Sequence, residues 1–279
     1  MFTTLISPAQ LAEHLHEPNF VIMDCRSKLD DIEFGRRAYY EAHIPGAVYA
    51  HLDYDLSGWK TGTNGRHPLP SERMMMATFS AWGIDSTKQV VAYDDANGGL
   101  GAARLWWMLR YLQHDQAAVL DGGWQAWIGE GLPTEEGLNM PTAREFVGAA
   151  RPAMLRTADS LFEGGTLVID SRAASRYRGD EEPIDKVAGH IPGAKNFFWG
   201  GIIGPNGRML PPAELRAKLQ RVIGDTPPEH CVFYCGSGVT SAANVLAMEV
   251  AGLTGSMLYS GSWSEWSSDP SRAIAKGEE

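Results

Sequence analysis

The chain has 279 residues, 44% hydrophobic and 21% charged, with a formal net charge of −10. That length exceeds one core of ordinary size and suits two domains, and the composition is that of a globular protein in water. The acidic balance disfavours nucleic acid or an anionic membrane as the main partner, because both need a basic face, but it leaves room for a small anion in a locally positive pocket. No apolar run reaches the roughly 18 residues that a membrane span needs. The opening segment MFTTLISPAQLAEHL has neither a basic stretch nor a long apolar one, so it reads as the start of the fold.

In chain order, SPAQLAEHL (7–15) reads as an amphipathic helix and VIMD (21–24) as a short buried strand. HIPGA (43–47) follows a polar stretch and holds a Pro-Gly turn. PSERMMMATFSAWG (70–83) is a second amphipathic helix, QVVAY (89–93) a strand, GAARLWWMLRYLQ (101–113) a third amphipathic helix and AAVLD (117–121) a strand. The stretch 135–153 is rich in Gly, Ala and Pro and lacks periodicity, which marks a join. Beyond it LVID (167–170), CVFY (231–234) and SMLYS (256–260) read as strands, and AANVLAMEV (242–250) as a helix. Continuous apolar strands alternating with helices give an α/β class, a parallel sheet flanked by helices on both faces. Trp106, Trp107, Trp124, Trp127, Trp263 and Trp266 are expected to pack between elements.

The order of these blocks repeats. VIMDCR is matched by LVIDSR, HIPGA at 43–47 by HIPGA at 190–194, and NGR at 64–66 by NGR at 206–208. VVAYD (90–94) is matched by CVFYC (231–235), and DGGWQAW (121–127) by SGSWSEW (260–266). Five blocks in one order at a period of about 140 residues describe a duplicated domain, since solenoid repeats are far shorter. The expected boundaries are 1–138 for the first copy, 139–153 for the linker and 154–279 for the second.

A duplication supplies its own comparison: positions that diverge into reactive types are candidates for chemistry. After the VAY/VFY strand the first copy has Asp94, Asp95, Ala96, Asn97 and Gly98, whereas the second has Cys235, Gly236, Ser237, Gly238, Val239 and Thr240. Only the second places a thiol at the C-terminal end of a parallel strand, the edge where open α/β sheets bind ligands. Gly236 and Gly238 let the backbone curl around the sulfur, and the following helix turns its positive end towards it. Such a setting favours a thiolate. Three cysteines form no disulfide framework, which points to a reducing, cytoplasmic setting. Cys231 and Cys235 lie on one extended strand, about 13 Å apart at about 3.3 Å per residue, whereas a disulfide needs Cα atoms within about 7 Å. Cys25 stands where the second copy has Ser171 and reads as an inert buried thiol. His43, His190, Asp24 and Asp170 recur in both copies and read as structural.

The strand-CGSGVT-helix element, the doubled HIPGA and the run DSR…RYRGDEEP…GHIPGA resemble the tandem-rhodanese sulfurtransferases over nearly the whole chain. The CGSGVT loop is similar to that of the 3-mercaptopyruvate branch; thiosulfate enzymes more often carry basic residues after the cysteine. The resemblance implies two tandem rhodanese-like domains, the second catalytic and the first degenerate, and no cofactor. It implies transfer of a sulfane sulfur from 3-mercaptopyruvate or thiosulfate, through a Cys235 persulfide, to cyanide or to a thiol such as thioredoxin or glutathione. Cys235 is then the nucleophile, Gly236, Gly238, Val239 and Thr240 its cradle, and Ser237, His67 and Asp55 an Asp–His–Ser arrangement beside it. His67 of NGRHPLP falls opposite Met209 of NGRMLPP, so the histidine, like the thiol, is one-sided; the bland alternative is a loop histidine capping the helix near Ser71. Arg176 of SRYRGDEEP matches the position that binds the donor's anionic group, with Arg178 as second choice. Animal-type mercaptopyruvate enzymes carry a further Arg after the acidic-Pro segment. Here the place reads Ile184-Asp185-Lys186, with Lys186 as a substitute charge. Two rivals remain in view: thiosulfate as the main donor, and a non-enzymatic persulfide-binding module. A phosphatase of the same fold needs Cys-x5-Arg, and position 241 is Ser.

Overall fold

The computed structural model describes residues 1–278. They form two compact units: the first comprises 1–58, 70–151 and 203–209, the second 59–69, 152–202 and the chain from 210 onward. Each unit therefore includes a short segment from the opposite half of the sequence, an exchange between the halves. Residues 139–151 carry no helix or strand and belong to the first unit.

The first unit holds strands β1 (Leu5–Ile6), β2 (Phe20–Asp24), β3 (Val48–Tyr49), β4 (Gln89–Tyr93) and β5 (Ala117–Leu120), all parallel, in the order β1-β5-β4-β2-β3. The second repeats the pattern with β6 (Leu155–Arg156), β7 (Leu167–Asp170), β8 (Lys195–Asn196), β9 (Cys231–Tyr234) and β10 (Met257–Tyr259), in the order β6-β10-β9-β7-β8. The central strands are apolar runs buried on both faces. The four edge strands have two residues each, too short to show the alternation by which a strand is read in sequence.

Helices α1 (Pro8–Glu13), α2 (Phe34–Glu41), α3 (Glu72–Ala81), α4 (Gly101–Tyr111) and α5 (Gly123–Gly129) flank the first sheet. Helices α6 (Ala174–Arg178), α7 (Pro212–Ile223), α8 (Ser241–Val250) and α9 (Ser262–Trp266) flank the second. A Ser7–Gln10 capping box starts α1, and the Ser71 hydroxyl accepts the Met74 N–H at the start of α3. One helix departs from expectation. Helix α4 is not amphipathic in use: every residue from Gly101 to Leu109 is buried, Arg104 included, whose guanidinium donates to the Leu56 carbonyl at 3.2 Å.

The first core gathers Ile22, Val91, Tyr93, Leu120 and Trp127; the second gathers Val168, Ile191, Val232, Tyr234 and Trp263. The six tryptophans are buried, and Trp106, Trp127, Trp263 and Trp266 each donate the indole N–H to a backbone carbonyl at 2.8–2.9 Å. The recurring polar residues make the same contacts in both units. Arg26 pairs with Asp24 at 2.6 Å and lies over the Trp124 ring; Arg172 pairs with Asp170 at 2.6 Å and lies over Trp263. The Tyr93 hydroxyl donates to Asp24 at 2.7 Å. His43 Nδ1 sits 2.7 Å from the Tyr39 carbonyl and stacks on that ring, and His190 does the same with Tyr177 at 2.8 Å. These pairs pin the strand ends from which the β4 and β9 loops leave. Removing one partner of such a buried ion pair costs on the order of 3–5 kcal/mol.

Candidate active site

Strand β9 ends at Tyr234 and α8 begins at Ser241, so residues 235–240 must reverse direction over six positions. Gly238 makes this possible: its φ is +76°, and a Cβ there would lie 2.0 Å from the Ser260 carbonyl oxygen. The loop is tied to the start of α9. The Cys235 N–H donates to Ser262 Oγ at 3.1 Å, the Cys235 carbonyl accepts the Trp263 N–H at 3.0 Å, and the Gly236 carbonyl accepts the Ser264 N–H at 2.9 Å. Cys235 is only 2% exposed. Its Sγ accepts the Gly238 N–H at 3.1 Å and the Ser241 hydroxyl at 3.4 Å.

Burial alone drives a thiol pKa up, and it does so strongly at this site. The hydroxyls of Ser241 and Thr240 and the backbone N–H groups of Ser237 and Ser241 more than offset it, and Cys235 lies below the ordinary thiol range. The other two cysteines lack such donors. Burial, with Asp24 and Asp94 nearby, pushes Cys25 well up, and burial pushes Cys231 up to about 11. All three are free thiols.

The first unit shows what the same turn does without a thiol. The Asp94 carboxylate accepts four backbone N–H groups, from Ala96, Gly98, Leu100 and Ala102, at 2.8–3.1 Å. Burial raises the Asp94 pKa against the pull of these amides. Both turns thus form a nest for an anion; the chain's own carboxylate fills one and a sulfur sits in the other.

Around Cys235 the second unit assembles most of the residues picked out in the sequence. His67 Nδ1 lies 2.8 Å from Ser237 Oγ, and both side chains are buried. His67 is therefore not the cap of α3, a place that Ser71 takes. Arg176 brings its Nη2 to 3.5 Å from where a Gly236 Cβ would stand and pairs with Glu182 at 2.6 Å and Asp185 at 3.2 Å. Burial works to raise the Glu182 pKa, but the Arg176 guanidinium and two backbone amides hold it below the usual carboxylate range. Val239, within the loop, is buried, and Thr240 stands at the N-cap position of α8 with no side-chain capping bond. Three residues lie elsewhere. Asp55 belongs to the first unit, where it accepts the His51 N–H at 2.7 Å, and burial raises its pKa. Arg178 pairs with Asp180 at 2.8 Å and with Glu278 at 3.6 Å, both carboxylates exposed. Lys186 is exposed.

Three side chains at the site were not singled out from sequence: Ser241, Ser262 and Arg66. The repeat holds a trace of Ser262. It takes a left-handed φ of +57° at the position where the first copy has Gly123, with φ +58°. A serine in that strained place gains a hydroxyl that anchors the Cys235 amide. Arg66 lies in NGR, a motif common to both copies, and so looked purely structural.

Comparison with known proteins agrees with this geometry. The model of the rhodanese-like domain matches twice, over residues 7–130 and 155–269. The chain is 42% identical over 280 residues to a Pseudomonas aeruginosa protein named "Probable 3-mercaptopyruvate sulfurtransferase", covering 98% of both chains. It is 39% identical over 283 residues to a Mycobacterium tuberculosis protein named "Putative thiosulfate sulfurtransferase SseB", covering 98% of this chain and 97% of that one. Among solved structures, 3-mercaptopyruvate sulfurtransferase from Leishmania major superposes with a TM-score of 0.85 at 32% identity, covering 95% of this chain and 74% of that one. The chain belongs to the rhodanese family and, within it, to the tandem-domain sulfurtransferases.

Proposed function

We propose that this enzyme takes the sulfur of 3-mercaptopyruvate onto Cys235 and passes it to a thiol. The observation that carries the reading is the buried, hydrogen-bonded Cys235 sulfur next to the Ser237–His67 pair, with no basic side chain in the 235–240 loop itself. In the first half-reaction the Cys235 thiolate attacks the donor sulfur. The S–S bond forms, the C–S bond breaks, and its electron pair leaves on carbon as the enolate of pyruvate. That enolate must gain a proton to become pyruvate. Ser237 delivers it and is resupplied by His67 Nδ1 across 2.8 Å. In the second half-reaction an acceptor thiolate attacks the outer sulfur. The Cys235–sulfur bond breaks, the acceptor leaves as its persulfide, and the Cys235 thiolate returns. One difficult transfer is split into two easier ones.

The nest that stabilises the thiolate also suits the persulfide anion. Arg176 supplies the positive charge an anionic donor requires. Asp55, engaged with His51, has no step assigned to it. The thiol acceptor is of the thioredoxin or glutathione class, with cyanide as an assay acceptor, and the three free thiols suit the cytoplasm. Among the described residues no helix is long and apolar enough to cross a membrane.

One observation favours a second reading, with thiosulfate as the main donor: the relative whose name carries that activity is nearly as similar as the first. Sulfite leaves thiosulfate without needing a proton, so the Ser237–His67 pair would then be idle. Steady-state transfer to cyanide from each donor decides between them. A higher kcat/KM with 3-mercaptopyruvate supports the proposal, and a higher one with thiosulfate overturns it. Cys235→Ser should abolish turnover of both donors; residual turnover above about one part in a thousand would remove Cys235 as the nucleophile.

A further inference from the structure

Cys235 is not the only position at which the two copies diverge into polar types. In the second unit Arg156 of β6 lies opposite Tyr259 of β10, and the same register in the first unit pairs Ile6 of β1 with Leu120 of β5. Just beyond Tyr259 the segment SGSWSEW carries Glu265, where DGGWQAW has Ala126. Three positions that are apolar in one copy are thus a guanidinium, a phenol and a carboxylate in the other. Ile6 and Leu120 fill the core of the first unit. Their counterparts, with Glu265, line a cavity of about 240 Å³ at the C-terminal ends of β6 and β10, the edge at which open α/β sheets take ligands.

The polar groups there are left open. Among the described residues Arg156 and Glu265 form no ion pair, with each other or with any other group. The buried Arg156 Nε and the Tyr259 hydroxyl make no hydrogen bond of good geometry, and Tyr259 is only 1% exposed. Burial, with the Glu265 carboxylate nearby, pushes the Tyr259 pKa up, so the phenol keeps its proton as a donor. Buried donors without an acceptor are costly and rare, and a bound molecule would complete these. Glu265 is held in place by the backbone: it folds so closely over the start of α9 that a Cβ on Gly261 would meet its Oε2 at 1.6 Å.

The cavity stands against the reactive loop without including it, since no residue from Cys235 to Thr240 lines it. One wall is the segment 59–69. Asn64, Pro68 and Leu69 line the cavity, while Arg66 Nη2 lies 2.8 Å from where a Gly236 Cβ would stand and His67 Nδ1 lies 2.8 Å from Ser237 Oγ. Ser260, a further lining residue, presents the carbonyl under which Gly238 packs.

We propose that this cavity is a second ligand site and that it takes a small α-amino acid. The ligand's carboxylate meets the Arg156 guanidinium and the Tyr259 O–H, its ammonium meets Glu265, and a short apolar side chain rests on Leu155, Pro68 and Leu69. A zwitterion satisfies both charges in one molecule, whereas a lone anion would face Glu265 and a lone amine would face Arg156. The volume is below the roughly 300–1,000 Å³ of sites for drug-sized ligands, which sets the size class. Because the ligand lies on one side of segment 59–69 and the reactive loop on the other, occupancy restrains the stretch that carries Arg66 and His67.

The test is calorimetric titration of the full-length protein with L-valine, isovalerate and isobutylamine. The last two keep the shape of valine and each lacks one of its charges, and none of the three has a thiol that could react. L-Valine should bind one to one with a Kd of about 1 mM or tighter. Isovalerate and isobutylamine should bind about tenfold more weakly or worse, as should L-valine to Arg156→Gln and to Glu265→Gln. In wild type, L-valine should slow hydrogen–deuterium exchange in residues 59–69 and 155–157. Neither heat nor slowed exchange with L-valine would overturn the site. Isovalerate binding as tightly as L-valine would refute the zwitterion, and L-valine binding that ignores both substitutions would refute the location. Should a variant not fold, exchange in wild type decides, because protection confined to other segments also refutes the location.

Discussion

The Cys235 thiol lies below the ordinary thiol range because of where its hydrogen bonds come from. A thiolate buried to this depth is unfavourable in itself, and it is held by hydroxyls and amides that belong to the loop and to the first turn of α8. Ser241 contributes through a bond of 3.4 Å that the sequence alone does not disclose. Replacing it by Ala removes a donor to the charged form, so the Cys235 pKa should rise. With the thiolate as the proposed nucleophile, activity grows as pH rises through that pKa, and the rising limb moves to higher pH in the variant. The rate of alkylation by iodoacetamide against pH measures this directly, and turnover at neutral pH should fall roughly tenfold, the worth of a hydrogen bond to a charged group. An unmoved limb would mean the amides suffice. His67 offers a second expectation at this scale. In His67→Gln, kcat with 3-mercaptopyruvate should drop by about 10²-fold or more while thiosulfate turnover changes little, because only the enolate needs a proton. Equal losses with both donors would leave His67 as packing for Ser237. The sequence disclosed His67 through its one-sidedness, but its partner, Ser237, lies 170 positions away and is fixed only by the fold.

At the scale of elements, the turn after the central strand is the unit of function. Two copies of one turn have been put to different ends, and the deciding difference is what enters the nest. The strands and most helices around it were legible, because long apolar runs and helical spacing reflect burial directly. The two-residue edge strands were not, nor was the all-round burial of α4, since local pattern does not report what covers a helix. The turn itself is the least tolerant part. Gly238→Ala forces a left-handed φ on a side chain and drives its Cβ into the Ser260 carbonyl. Urea unfolding should show a loss of about 2 kcal/mol or more, with turnover lost in whatever protein remains folded. A variant as stable and active as wild type would mean that the loop has another conformation of similar energy.

For the whole molecule, duplication and exchange work together. The second unit carries the thiol but draws residues 59–69, with Arg66 and His67, from the first half of the sequence. A fragment of residues 154–279 therefore lacks part of its own unit. Expressed alone, it should show less than about one per cent of full-length turnover with 3-mercaptopyruvate, given that losing a proton donor alone costs about 10²-fold. Full activity in that fragment would refute the need for the borrowed segment. The sequence by itself determined the duplicated α/β architecture, the asymmetry of Cys235 and the rhodanese resemblance, because repeats, apolar strands and a Gly-rich turn are all local in the chain. Only the tertiary structure decided which arginines reach Gly236, the residue after the thiol. Arg66 sits in a motif shared by both copies, and whether its guanidinium reaches Gly236 or, as in Arg208, a strut at Asp121 depends on contacts with residues nearly 200 positions away in one case and nearly 90 in the other. Contacts of that range are set by how a chain packs, and neighbouring residues in the sequence carry no record of them.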